Sequence, residues 1–191
     1  MRVITLTGPK RSGKNTLADL IGEELGARGV ELRQAAFADP LRWAGDAIGL
    51  PAAATRELKD QPCDELGGRT GREFLIEFGT RCVRGLCPTF WVDHMIRRLD
   101  ALEAEGAGPV AITDLRFSNE LTALETWAHA RPGRWLAAVW VERPGASTDE
   151  ILEVSLRERC AVVANAGGLD DLRVRAGGIA EWAARRGGGP T

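Results

Sequence analysis

The chain has 191 residues, 44% hydrophobic and 27% charged, with 27 acidic against 25 basic side chains. That length suits one domain with an ample core, and the near balance of charge argues against polymeric nucleic acid or an anionic membrane as a partner. No apolar run approaches bilayer-spanning length, and Met1-Arg2 leads directly into a strand without a signal-peptide apolar region, so the expectation is a cytoplasmic protein.

The first element is the apolar run Val3 to Leu6, followed by LTGPKRSGKNT and an amphipathic segment with Leu17, Leu20, Ile21 and Leu25 at helical spacing. Gly8, Gly13 and Lys14 stand as G-x-x-x-x-G-K between strand and helix, the context a phosphate-cradling loop requires. Glycines allow the N–H groups within Gly8 to Thr16, with those of Lys10, Arg11 and Ser12 among them and Pro9 having none, to turn inward. The helix beginning near Gly13 adds its positive end. Lys14 is placed to reach the β- and γ-phosphates of a nucleotide. The next position, normally a hydroxyl for Mg²⁺, is Asn15, and the hydroxyl comes one residue later as Thr16.

Further strands are read at Leu32 to Phe37, Val110 to Thr113, Leu136 to Val141 and Ala161 to Ala164, and a closing helix at Leu169 to Ala184. Short apolar strands alternating with helices imply a five-stranded parallel sheet covered on both faces, a three-layer α/β sandwich. One connection is far longer than an ordinary crossover. The stretch 38–108 reads as a helical insertion, with pieces at Pro40 to Ile48, Ala54 to Lys59, Gly71 to Leu86 and Pro88 to Glu105, and room for a second substrate. The tail Arg185 to Thr191 is expected to fray. Cys63, Cys82, Cys87 and Cys160 lack C-x-x-C spacing, so neither disulfides nor structural zinc are expected.

The third strand ends in TDLRFSNE. Asp114 is either the acid that holds Mg²⁺ or its water shell, or a cap for the helix beginning near Ser118, with Asn119 and Glu120 as ordinary first-turn residues. Arg116 can meet a phosphate at the same mouth. In the insertion, Arg72 and Arg81 fall on opposite faces of a straight helix, so Arg69, Arg72, Arg81 and Arg84 converge on one phosphate only if the chain bends, with Gly79 the expected place. Arginines at that spacing also pair with neighbours such as Glu73 and Glu77. Trp91 is either a platform for a base or a core residue. Arg143, Arg157 and Arg159, within 143–159, are either lid residues closing over a nucleotide or surface arginines beside Glu142, Glu153 and Glu158. A loop lysine, a strand-end acid, scattered arginines and no obvious general base point to phosphoryl transfer onto an acceptor already anionic, such as a phosphate oxygen.

With these residues in view, GPKRSGKNTLADLI, GREFLIEFGTRCVRGLCPTFWVD, ITDLRFSNE and VVANAGGLDDL resemble, in order and over nearly the whole chain, the deoxynucleoside monophosphate kinases of bacteriophages and related bacterial sequences. The resemblance implies a P-loop kinase fold and ATP- and Mg²⁺-dependent conversion of a dNMP to a dNDP. It assigns the ATP phosphates to Gly8 through Thr16 with Lys14 at their centre, and matches Lys10 and Arg11 to basic positions on the acceptor side. It matches Asp114 and Arg116 to the family's D-x-R-F, and Arg72, Arg84 and Trp91 to its insertion pattern. Asn15 departs from the acidic residue the family carries there. An animal-type phosphomevalonate kinase and a non-catalytic nucleotide-binding module are the rival readings. The base accepted, the sugar preference and the assembly, a homodimer included, stay open at this level.

Overall fold

The computed structural model describes residues 1–50, 55, 58–147 and 152–185. The chain divides into two units, one formed by 1–36 and 96–191, the other by 37–95.

The first unit is built on a five-stranded, all-parallel sheet. Its strands are β1 (Arg2–Thr7), β2 (Arg33–Ala35), β3 (Val110–Ile112), β4 (Trp135–Glu142) and β5 (Ala161–Ala164), in the order β2-β3-β1-β4-β5. β1 is central and every residue of it is buried, which is why it reads as a continuous apolar run rather than an alternating one. The chain moves from β1 one way to β2, then the other way through β3 to β4. Right-handed crossovers therefore put α1 (Lys14–Gly26) on one face and α6 (Ser118–His129) on the other. α7 (Leu169–Ala184), the last described helix, packs on α1. Ile4, Leu6, Val139 and Val141 from the sheet meet Leu17, Leu20, Ile21 and Leu25 of α1 and Leu172, Ala176, Ala180 and Ala183 of α7. The alanines of α7 recur about every four residues, a small-residue stripe that lets the two helices approach closely.

The other face is pinned by Arg134, whose side chain is 4% exposed. Its guanidinium bonds Asp100 and Glu103 and lies 4.2 Å from the Trp127 ring centre, while Trp127 Nε1 donates to Asp100 at 2.9 Å.

β2 is shorter than the run Leu32 to Phe37 suggests. Its partner β3 offers only three residues, in the register Arg33↔Val110 to Ala35↔Ile112, and one further bond, Thr113 N–H to Ala35 O, ends the pairing. Ala36 and Phe37 are buried without joining the ladder.

The second unit contains α2 (Asp39–Ala47) and α3 (Gly71–Ile76), the latter started by a reciprocal cap in which Thr70 and Glu73 each accept the other's backbone N–H. The single helix expected from Gly71 to Leu86 is interrupted. Glu77–Val83 is π-helical and α4 (Arg84–Leu86) follows it. Gly79 lies within this widened turn. A Cβ there would come 2.7 Å from Leu41 Cδ1, and its carbonyl accepts the Trp91 indole N–H at 2.9 Å. The bend expected at Gly79 is thus a π-turn, kept open by a close side-chain approach and by capture of the carbonyl. α5 (Phe90–Ala104) starts two residues after Pro88, where Thr89 bonds the Asp93 N–H and carboxylate. Of the helix expected at Ala54 to Lys59, residues 54, 56 and 57 lie outside the described residues, and 58–60 form a turn. Residues 148–151 of the expected lid and 186–191 of the tail also lie outside them.

Candidate functional site

β1 delivers the chain into the loop at Thr7. Gly8 has φ 130°, and a Cβ on it would lie 2.2 Å from the Val141 carbonyl oxygen, so the loop leaves the sheet pressed against β4. Arg11 adopts φ 63°, the sole positive φ outside glycine among the described residues, at a cost of about 1 kcal/mol. Gly13, at φ 103°, caps α1, and a Cβ there would stand 2.4 Å from Asn165 Nδ2. Gly8 is therefore required by the backbone oxygen beside it as well as by its torsion, and Gly13 by its torsion, since its neighbour is the end of a side chain.

Lys14, in the first turn of α1, folds back across the loop and donates from Nζ to Gly8 O and Pro9 O, each at 2.7 Å. Ser12 is fully buried and its Oγ has no hydrogen-bond partner. Asn15 and Thr16 are exposed on the same turn, which carries no acidic residue to compete for the helix's positive end. Lys10 is half-buried and its N–H donates to Ser147 O at 3.0 Å, tying the loop to the segment after β4.

The segment after β3 is held to the same strand end. Thr7 Oγ1, buried, donates to Leu115 O at 2.8 Å, between Asp114 and Arg116, both half-buried. Glu120 is 1% exposed, and its carboxylate accepts the N–H groups of Arg116 at 2.9 Å and Phe117 at 3.1 Å. It is therefore the buried acceptor that shapes the D-L-R turn, where sequence reading made it an ordinary first-turn residue. On the other side, Glu153 N–H donates to Arg116 O and the Glu153 carboxylate accepts from Ser118 N–H.

Arg143 is exposed on the turn that follows β4. Arg157 pairs with Glu142, the last residue of β4, at 3.0 Å, a hydrogen bond that raises the guanidinium pKa further. Arg72, Arg84 and Trp91 belong to the second unit. There Arg72 is ion-paired with Asp60, Arg84 is half-buried, and Trp91 is 6% exposed with its indole N–H committed to Gly79. One loop thus gathers Gly8 and 10–16, and the Thr7 to Leu115 bond brings Asp114 and Arg116 to the same strand end.

A groove of about 440 Å³ lies elsewhere, along the first half of β4, lined by His129, Trp135, Arg159 and Trp182 among others. β4 pairs with β5 only from Val139 to Glu142, which leaves Trp135 to Ala138 unpaired by β5. It is at the opposite end of the strand from the loop.

No family model and no curated protein matches the sequence. Among solved structures the chain is similar to an APS kinase of Mycobacterium tuberculosis, a Cys556Ala mutant (14% identity, TM-score 0.49, 94% of this chain and 96% of that one). It is also similar to a gluconokinase from Sinorhizobium meliloti (18%, 0.42, 95% and 93%) and a sugar kinase from Janibacter (15%, 0.43, 92% and 91%). At these identities and TM-scores the likenesses carry no substrate to this chain.

Sequence reading missed Asn165. Its amide donates to Ser12 O at 2.9 Å, and its N–H donates to Glu142 O at 2.7 Å. The segment NAGGLDDL drew notice only through a family resemblance, and no spacing rule connects positions 153 residues apart.

Proposed function

We propose that this protein is an ATP-dependent phosphotransferase whose acceptor is a deoxynucleoside monophosphate. The observation that carries the reading is the loop itself. Gly8 and Gly13 hold torsions that favour glycine, Gly8 has a clearance that only glycine allows, and Lys14 is poised across the loop at the start of α1. Such a loop offers converging N–H groups and an ammonium to a polyphosphate.

The chain's own residues suit ATP and Mg²⁺. Lys14, held across the loop by two backbone carbonyls, would turn its ammonium to phosphate oxygens, and Thr16 and Asp114 would offer the ion one hydroxyl and one carboxylate. Mg²⁺ ordinarily needs no more from protein, since phosphates and waters complete its shell. When bound, the ion neutralises charge on the transferred phosphoryl group. Lys14 stabilises charge as it spreads over the phosphoryl oxygens. Arg116, its backbone fixed by Glu120 and Glu153, is the cation assigned to the acceptor phosphate. A monophosphate acceptor is already an anion and requires no general base. His129, one of only two histidines in the chain, is bound to the Glu125 carbonyl beside the distant groove. The dNMP class rests on the motif resemblance in GREFLIEFGTRCVRGLCPTFWVD and NAGGLDDL.

The test is ADP release by purified protein with ATP and Mg²⁺ across a panel of dNMPs and NMPs. Turnover on one or more dNMPs is expected, and Lys14→Ala should lower it about a thousandfold. Turnover on mevalonate phosphate with none on the panel would overturn the acceptor class. Tight ATP binding with no transfer to any acceptor would make the protein a nucleotide-binding module instead.

A further inference from the structure

Resting on the phosphate-loop reading, we propose that Asn165 is a positioning residue, one that sets the orientation of the Ser12–Gly13 peptide and so aims the Gly13 N–H at the bound polyphosphate. β5 ends at Ala164, and the next residue's N–H continues the ladder by donating to Glu142 O at 2.7 Å. The backbone of Asn165 is thereby an extension of the sheet, a rigid base for its side chain. From there Nδ2 donates to Ser12 O at 2.9 Å. A carbonyl only accepts, so the amide nitrogen must be the atom that faces it.

The consequence follows from peptide geometry. In a trans peptide the C=O and the following N–H point in opposite directions. Holding the Ser12 carbonyl toward Asn165 turns the Gly13 N–H away from Asn165, which is the direction assigned to the phosphate.

This peptide needs holding because glycine follows it. Gly13 sits at φ 103°, and a residue without Cβ crosses between positive and negative φ at little cost, so the plane can rotate. Ser12 adds no brace of its own, since its Oγ is buried without a hydrogen-bond partner. The same glycine is also what admits the strut. A Cβ on Gly13 would stand 2.4 Å from Asn165 Nδ2. Gly13 and Asn165 therefore form a matched pair, the one providing freedom and clearance, the other removing the freedom again.

Preorganised backbone donors aimed at phosphate are worth most when they need no reorientation on binding. Asn165→Ala leaves the peptide free to rotate, and Asn165→Asp replaces the donor by an acceptor of the same shape. The experiment measures binding of inorganic tripolyphosphate and of ATP, each with Mg²⁺, by calorimetry on wild type, Asn165→Ala, Asn165→Asp and the control Arg173→Ala. Arg173 is exposed and bonds Glu23, in the last turn of α1 at the end away from the loop. Both Asn165 variants are expected to weaken both ligands at least tenfold, and by the same factor, because the lost contact involves phosphate and not the base or sugar. Arg173→Ala should stay within twofold. In ¹⁵N-labelled wild type, tripolyphosphate should shift the Gly13 amide resonance, a readout that a merely structural role does not move. If wild type binds neither ligand, the phosphate-loop reading fails and this proposal with it. If wild type binds both while folded Asn165→Asp binds them within twofold of it, or if the Gly13 amide is unmoved by tripolyphosphate, the positioning role is overturned and the loop reading stands.

Discussion

The backbone oxygen of Val141 occupies the space that a Cβ on Gly8 would enter, at 2.2 Å. That oxygen belongs to a strand paired on both sides, to β1 and to β5, so it cannot step aside as a flexible side chain would. The central strand, its neighbour and the first glycine of the loop are in effect one rigid object.

Gly8→Ala is therefore expected to cost about 3 kcal/mol or more, from backbone strain at positive φ and a clash with an immovable atom. It should also abolish ATP binding. Gly106→Ala is the comparison, because Gly106 also has positive φ (72°) but nothing lies within 4 Å of its Cβ position. That variant should cost about 1 kcal/mol. Urea denaturation of the two variants checks the difference, and equal losses would show that the Val141 contact is unimportant.

Glu120 offers a second test. Its carboxylate satisfies two backbone N–H groups in the turn that carries Arg116. Glu120→Ala removes this acceptor from both half-buried groups and should destabilise by about 2 kcal/mol, while Glu120→Gln keeps one acceptor oxygen and should cost less. If Arg116 holds the acceptor, both changes should raise KM for the dNMP more than KM for ATP. A uniform loss in both constants would argue that Glu120 serves the fold alone.

How far the sequence carried these conclusions depended on the range of the interaction. Strand β1, its loop and α1 were legible because apolar run, glycine spacing and helical period are local signals that agree, and β5 likewise stood out as Ala161–Ala164. The π-turn at Glu77–Val83 was half legible: Gly79 marked where the chain could bend if the arginines were to converge, but the cause of the turn, Trp91 and Leu41 meeting at one glycine, lies outside the local pattern. Glu120 and Asn165 were not legible as site residues. Each acts by presenting one side chain to a backbone group that only the folded topology brings near.

The Arg134 cluster predicts a pH dependence. The Trp127 indole N–H and then Arg134 hold the Asp100 carboxyl below the usual range, and Arg134 does the same for Glu103. Groups whose folded pKa is depressed contribute stability that is full above their unfolded values, near 4, and lost as pH falls through the folded ones. Stability from this cluster should hold between pH 7 and 5 and drop below about pH 4. Arg134→Met should cost about 2 kcal/mol at pH 7, and its gap from wild type should narrow at pH 3. Urea midpoints for both proteins across that range check this; a gap of constant size would mean the carboxylates are not linked to Arg134.

Three of the four cysteines should separate by reactivity. Burial pushes the Cys160 thiol up to about 11, against a smaller opposing pull from Arg159, and Cys63 is raised chiefly by donating its S–H to Glu65. Cys82 is exposed. Since the thiolate is the reacting species, about one Cys160 side chain in a thousand is competent at pH 8. Iodoacetamide at that pH, followed by peptide mass spectrometry, should label Cys82 early and leave Cys160 and Cys63 behind. Removing the helpful charge with Arg159→Gln should slow Cys160 further, provided the fold is intact. Faster labelling of Cys160 in that variant would mean that the Arg159 to Glu125 ion pair guards access to the thiol, and that burial rather than charge sets its rate.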